Sequence, residues 1–306
     1  MKRRPAPDAS RAALDRFTRT AEIAANGVIR SYSTSFGLAT RLLGPRHRQH
    51  IRNIYALVRI ADEIVDGVAA EAGLDARGQD AVLDDYRTET LRAIHAGYSS
   101  DMILHAFART ARAASIDETL IAPFFASMHA DIALADAADS SFRAYDAAAH
   151  QSYVYGSAEV VGLMCLRVFL REERRSDEQL KTLHNGARQL GAAFQNVNFL
   201  RDLADDTERL QRGYLSGDRR LTDADRDAWV QTVRTQLADA REAIPLLPRD
   251  AQAAVRSALA LFAALTDRVA RTPAESLYRQ RVRVPAPQKL ALATTAVLRT
   301  RTEFRR

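Results

Sequence analysis

Tyr55, Arg59, Asp62 and Asp66 lie four, three and four residues apart. At helical pitch that spacing stacks them on one face, one above another. The residues between them, Leu57, Val58, Ile60, Ala61, Ile64 and Val65, are apolar, so the helix is expected to be largely buried. Carboxylates there are costly unless a cation neutralises them. Arg59 offsets one acid, and a second cation is needed for the other. Oxygen ligands one turn apart suit Mg²⁺, which keeps several waters and bridges to substrate phosphate. The competing explanation is a solvated acidic face, since Asp-x-x-x-Asp recurs by chance. A second copy favours the metal. Gln195, Asn198, Asp202 and Asp206 lie three, four and four apart, amid Ala193, Val197, Phe199, Leu200, Leu203 and Ala204. Asn198 supplies a neutral oxygen ligand, and Arg201 can bind phosphate oxygens bidentately. Two buried acidic faces in one helical protein are reconciled if they face each other across a cavity. They would then share divalent ions with an anionic ligand.

Other stretches carry weaker signals. Ser33, Thr34 and Ser35 crowd a helix start within Ser31–Ala39, where hydroxyls either cap the N-terminus or help it bind an anion. His47 and His50 sit among Arg46, Arg48 and Arg52; so many cations repel a metal, which points to a solvated helical face. Asp131, Asp136 and Asp139 form an acidic edge expected to be solvated, although Asp131 follows Phe124, Phe125 and Met128 on an apolar-leaning face. Gly156, Ala158 and Gly162 are small residues inside a helical pattern. Gly costs about 1 kcal/mol there relative to Ala, so either a neighbouring helix approaches closely or a channel is left for a long ligand.

The elements that must position these residues are helices. The chain has 306 residues, 47% of them hydrophobic, with few Gly and Pro and few alternating β-branched runs, which reads as all-α. Met1–Ser10 is expected to be a disordered arm, residues 11–298 a single helical domain, and residues 299–306 a basic tail. Helices are predicted over Ala12–Arg30, from Pro45 through Asp66, and over Asp80–Ala96, Asp101–Ala114, Asp117–Ala135 and Ser141–Gly156. Gly67, Gly73 and Gly78 mark a loop after Asp66.

The net charge of +6 raises nucleic acid as a partner, but the charge is almost all Arg and no basic stripe carries interleaved aromatics. Nucleic acid is therefore not expected. Anionic lipid or a diphosphate substrate are the alternatives, with Arg299–Arg306 the candidate for lipid. No apolar stretch of the roughly 18–20 residues that span a bilayer is evident, and no apolar segment follows basic Met1–Arg4. Cys165 is the sole cysteine, so the expected location is cytoplasmic, with peripheral membrane contact.

In this light the chain resembles the squalene/phytoene synthase family. Tyr55-x-x-x-Arg59-x-x-Asp62-x-x-x-Asp66 and Gln195-x-x-Asn198-x-x-Arg201-Asp202-x-x-x-Asp206 look like its two aspartate motifs. Ser33-Thr34-Ser35-Phe36 is similar to its diphosphate-handling segment, Tyr153 through Gly162 to its small-residue helix, and Arg281–Pro285 with Lys289 to a weaker C-terminal signature. The wording around Arg59–Gly67 and Tyr155–Met164 is similar to phytoene synthases of actinobacterial carotenoid pathways. Three departures stand out. Glu63 replaces an Asp of many relatives. Arg212-Gly-Tyr214 is displaced by one residue, and Tyr278 does not align with a substrate-facing Tyr.

The resemblance implies an isoprenoid-synthase-type helical bundle around a central cavity. It implies Mg²⁺ (or Mn²⁺) held by Asp62, Asp66, Asn198, Asp202 and Asp206 against the diphosphates of two prenyl substrates, geranylgeranyl diphosphate being favoured. Ser33, Thr34, Ser35, Phe36, Tyr55, Arg59, Gln195, Arg201, Arg212 and Tyr214 would bind substrate. Tyr55 and Tyr153 would offer aromatic faces to cations. Head-to-head joining through a cyclopropylcarbinyl diphosphate gives phytoene without a reductant, so NADPH is not expected. Ionising an allylic diphosphate needs its growing negative charge stabilised, and a pair of unit charges ~4 Å apart at an effective dielectric of ~20 interacts by ~4 kcal/mol. Downstream carotenoid enzymes are candidate partners. The alternatives are a squalene or dehydrosqualene product from farnesyl diphosphate, a head-to-tail prenyltransferase or terpene cyclase, and a non-catalytic prenyl-lipid-binding or assembly protein.

Overall fold

The computed structural model describes residues 7–136, 147–208 and 220–303; of Ser35 and Asp206 only the backbone is described. Among these residues fourteen α-helices follow one another. The first seven are α1 (Pro7–Tyr32), α2 (Thr34–Arg41), α3 (Pro45–Val65), α4 (Val68–Glu71), α5 (Ala76–Ala96), α6 (Met102–Ala114) and α7 (Glu118–Asp136). Then come α8 (Ala147–Val154), α9 (Val160–Leu170), α10 (Asp177–Glu208), α11 (Asp223–Ala243), α12 (Arg249–Ala270), α13 (Ala274–Leu277) and α14 (Ala286–Glu303). Among the described residues there is no strand, as the composition predicted.

Both motif helices have legible ends. Pro45 opens α3 at a position where a missing N–H costs nothing, and Asp66 closes it before Gly67, whose φ of 118° suits only a residue without a Cβ. The second motif lies in the C-terminal half of α10, whose 32 residues span about 48 Å at 1.5 Å per residue. Two apolar cores flank the line between the motifs. One joins α3, α5, α6, α7 and α9 around Leu57, Phe107, Phe124, Phe125 and Met164; the other joins α10, α11 and α12 around Leu200, Val233 and Phe262.

Several expectations change in detail. α1 starts at Pro7, so part of the anticipated N-terminal arm is helical, and residues 1–6 lie outside the described residues. Pro again suits a first helical turn. The expected basic tail is the last turn of α14 as far as Glu303. The glycine loop after Asp66 contains the short α4, and Asp75 caps α5 by accepting from Gly78 N at 2.8 Å. The run from Ala148 to Leu170 is long and apolar enough to cross a membrane by length and composition, with a mean hydropathy of 1.4, contrary to expectation. It is half buried inside the fold and packs against α3, α6, α7 and α10, which accounts for its apolarity.

The two histidines do not form a solvated face. His47 is fully buried, with Nε2 3.1 Å from Asp250 Oδ1 and Nδ1 3.1 Å from Arg171 Nη1. His50 Nδ1 lies 2.9 Å from Thr110 Oγ1. The neighbouring cations are consumed: Arg46 reaches Asp250, Glu172 and Glu173. Burial pushes the His50 pKa down to about 4. The folded chain therefore binds fewer protons than the unfolded chain below about pH 6.5, where a free His titrates. The His50 contribution to stability is complete above that pH and declines as pH falls towards 4. Thermal melts across that range should show the decline, and it should be shallower in His50→Gln.

Candidate active site

A cavity of about 800 Å³ lies between the two cores. Leu43, Ile54 and Met128 line it from the first core, and Phe262 and Leu265 from the second. Asp62 and Asp66 enter from α3, and Asn198, Arg201 and Asp202 from α10. The two motif faces thus share one cavity, as their spacing predicted.

Each side chain has a physical anchor. Ser33 caps α2 by accepting from Phe36 N at 3.1 Å and also hydrogen-bonds Tyr55, so capping and cavity lining are one role. Phe36 packs between Tyr55, at 5.9 Å between centroids, and Phe262, at 6.2 Å. Phe194 stacks on Phe262 at 3.6 Å. Thr34 Oγ1 accepts from Lys289 Nζ at 3.2 Å, which brings the C-terminal signature to the cavity. Arg59 pairs with Glu63, lies 4.0 Å from Asp62 and sits 4.6 Å over the Tyr32 ring. Glu63 thus holds Arg59. Gln195 lines the cavity.

Asp202 is gripped from two sides. Arg201 Nε donates to Oδ1 at 2.7 Å, with a second bond from Nη2 to Oδ2, while Arg281 Nε reaches Oδ1 at 2.7 Å. Arg281 carries no helical periodicity that ties it to α10, and only the weak C-terminal signature hinted at its place. Asp206 belongs to α10, but its side chain lies outside the described residues, as do Arg212 and Tyr214. Tyr278 does not line the cavity; its hydroxyl accepts from Leu221 N at 2.8 Å.

Asp131 corrects the sequence reading. It is 2% exposed rather than solvated, accepts a 2.8 Å hydrogen bond from Tyr153 OH and lines the same cavity. Of its two expected companions, Asp136 has no described side chain and Asp139 lies outside the described residues. The signal was present in Phe124, Phe125 and Met128, one to two turns earlier. Phe124, Phe125 and Met128 are buried, and Asp131 follows Phe124 and Met128 on α7 seven and three residues later, on the same buried side of the helix.

The three acids act on one another. The Asp62 side chain is 30% exposed, but that surface faces the cavity rather than bulk solvent. Burial holds its pKa well above the usual carboxylate range, the charges of Asp66, Asp131 and Glu63 push it the same way, and Arg59 opposes them. On α10, Asn198 Oδ1 is buried and has no hydrogen-bond partner. A carboxyl short of positive charge and an orphaned amide oxygen across the same cavity fit a hard divalent cation, whose ligands are oxygens. Among the described residues, no three His, Cys, Asp or Glu side chains converge to hold an ion by themselves.

The close approach of helices, rather than a channel alone, explains the small residues. A Cβ on Gly156 would stand 2.2 Å from Pro123 O, and one on Gly162 would stand 2.4 Å from Ala187 O. A wide π-type turn over Tyr155–Glu159 joins α8 to α9 at this point. Ala158 and Gly162 also line the cavity.

Residues 29–225 match the sequence profile of the squalene/phytoene synthase family. That stretch holds both acidic motifs and more than half of the chain. The chain belongs to the squalene/phytoene synthase family. Its relatives within that family include "Phytoene synthase 3, chloroplastic" of Zea mays, 31% identical over 89% of this chain and 64% of the maize protein. They also include "Phytoene synthase" of Arthrospira platensis, 30% identical over 88% of this chain and 90% of that protein. The chain thus spans somewhat less than two thirds of the maize relative. Among solved structures, a dehydrosqualene synthase in complex with ligand shares the fold, with a TM-score of 0.70, 20% identity and coverage of 93% and 98% of the two chains. These relatives come from a plant plastid and a cyanobacterium, so the actinobacterial wording gains no support from them.

Proposed function

We propose that the chain is a phytoene synthase that joins two geranylgeranyl diphosphates head to head and releases diphosphate, acting in carotenoid and isoprenoid biosynthesis. The observation that carries the reading is the meeting of two acid-and-arginine faces in one largely apolar cavity of about 800 Å³. Asp62 and Asp66 on one side, with Asn198, Asp202 and Asp206 on the other, would hold Mg²⁺. Such ions are usually held by one or two carboxylates plus substrate phosphate rather than by an all-protein cage. When bound, the metal supplies positive charge against the departing diphosphate.

The chain's own residues do the rest. Arg59, Arg201 and Arg281 are guanidiniums already beside carboxylates, able to turn their forks to diphosphate oxygens. Lys289 with Thr34, and Ser33 with Tyr55, complete the polar end of the binding surface. Phe36, Phe194, Phe199 and Phe262 bury the prenyl chains and keep water from the allylic cation. Tyr153 lines the cavity with its hydroxyl fixed on Asp131, which would hold the ring in place for contact with a cation. The first cation adds to the double bond of the second substrate, and loss of a proton closes the cyclopropane. The second ionisation and rearrangement end with loss of another proton. NADPH takes no part in this sequence. Substrate and product are greasy, which supports peripheral contact with a membrane.

The test is product analysis with geranylgeranyl or farnesyl diphosphate, each with and without NADPH. A forty-carbon triene core product from the twenty-carbon substrate, indifferent to NADPH, is expected. A thirty-carbon product formed preferentially from farnesyl diphosphate would overturn the substrate assignment.

A further inference from the structure

A second cleft of about 660 Å³ opens where α1 and α6 meet the Gly97 turn, and it shares no lining residue with the active cavity. Three guanidiniums, Arg19, Arg109 and Arg112, line it against a single carboxylate, Asp15. His105 is also part of the lining and is 2% exposed. Its Nε2 lies 3.0 Å from Thr18 Oγ1, while Nδ1 is buried without a hydrogen-bond partner. Phe17 and Tyr98 pack on the ring edge to face, at 4.9 and 5.7 Å between centroids, and fix its orientation. That nitrogen is closed to the cleft, so the arginines carry the charge a ligand would meet. The arginines retain capacity for one. Arg109 pairs with Glu22, and Arg112 uses Nη1 on the Ile94 and His95 carbonyls at 2.9 and 3.0 Å. Each guanidinium carries five N–H groups, so most remain available.

We propose that this α1/α6 cleft is an anion site that takes a phosphate or diphosphate group, held by Arg19, Arg109 and Arg112 beside His105. Its ligand is either a soluble phosphate ester or an anionic lipid headgroup. The inference stands apart from the catalytic reading, because it uses none of the residues of the active cavity.

The full chain would be titrated calorimetrically with inorganic diphosphate in metal-free buffer, and floated with phosphatidylglycerol vesicles. Arg19→Glu and Arg109→Ala would be compared with Arg234→Ala, an exposed arginine of α11 that lines neither cavity. Losing one charge-assisted contact is expected to weaken binding by about tenfold or more, in the two cleft variants and not in Arg234→Ala. An effect on diphosphate titration assigns a soluble ligand; an effect confined to vesicle flotation assigns a lipid headgroup. Melting curves would check that each variant is folded, and the two cleft variants act independently should one fail that check. Wild-type and both folded cleft variants behaving alike with both probes would overturn the proposal.

Discussion

Asp62→Asn is expected to lower the rate of product formation by roughly 10²–10³-fold, the usual cost of removing one preorganised electrostatic group from a site where charge develops. The same substitution should leave the metal-free protein at least as stable as wild type near neutral pH. Burial and the neighbouring Asp66 and Asp131 hold the Asp62 carboxyl protonated above its ordinary range, so the folded chain binds more protons than the unfolded one. The Asp62 contribution to stability is then greatest below about pH 4, where a free Asp titrates. It declines as pH rises from there towards the folded-state pKa. Asparagine never ionises and escapes that decline. Initial rates in Mg²⁺, set beside melts in EDTA across pH 4–8, would separate the two effects. A variant that loses activity because its melting temperature collapses would contradict this account of Asp62.

Gly156→Ala is expected to be among the most destabilising single-methyl changes in the chain. The added Cβ would meet Pro123 O at 2.2 Å and Ser127 Oγ at 2.0 Å. The carbonyl belongs to the α7 backbone, and Ser127 is itself buried and bonded to Tyr153 O at 3.2 Å, so neither can step aside cheaply. Overpacking costs typically about 1–3 kcal/mol, which exceeds the ~1 kcal/mol that alanine gains over glycine in a helix. Because Tyr153 and Asp131 meet across the same α7 contact, activity should fall with stability. Gly27 in α1 is the internal control: a Cβ there meets nothing within 4 Å, so Gly27→Ala should be neutral or stabilising by up to ~1 kcal/mol. Equal melting temperatures for the two variants would refute the close-approach explanation.

These two cases show which parts of the molecule were legible in the sequence. Helix class and the two acidic rows follow from spacing alone, because residues three and four apart must share a helical face whatever surrounds the helix. Asp131 was visible but misjudged. Its neighbours Asp136 and Asp139 suggested an edge, whereas Phe124 and Phe125 decide the burial of the helix that carries it. Tyr153 then supplies a partner that no local pattern reveals. His47 and His50 were misjudged for a related reason. The arginines around them looked like a solvated cationic face until Asp250, Glu172 and Glu173, each more than 120 residues away in sequence, claimed Arg46. Arg281 on Asp202 is likewise a contact between positions 79 residues apart. Pairings of this kind depend on how helices cross, which periodicity does not encode.

The central claim is that α3 and α10 jointly hold the substrate diphosphate. A crystal structure of the full chain with Mg²⁺ and a thiodiphosphate analogue of geranylgeranyl diphosphate tests it most directly. The account predicts the diphosphate between Asp62 and Asp66 on one side and Asn198 and Asp202 on the other, with Arg201 or Arg281 turned from Asp202 to its oxygens and the prenyl chain running along Phe36 and Phe262. A diphosphate bound away from either motif, with Asp202 still clasped by both arginines, would contradict it.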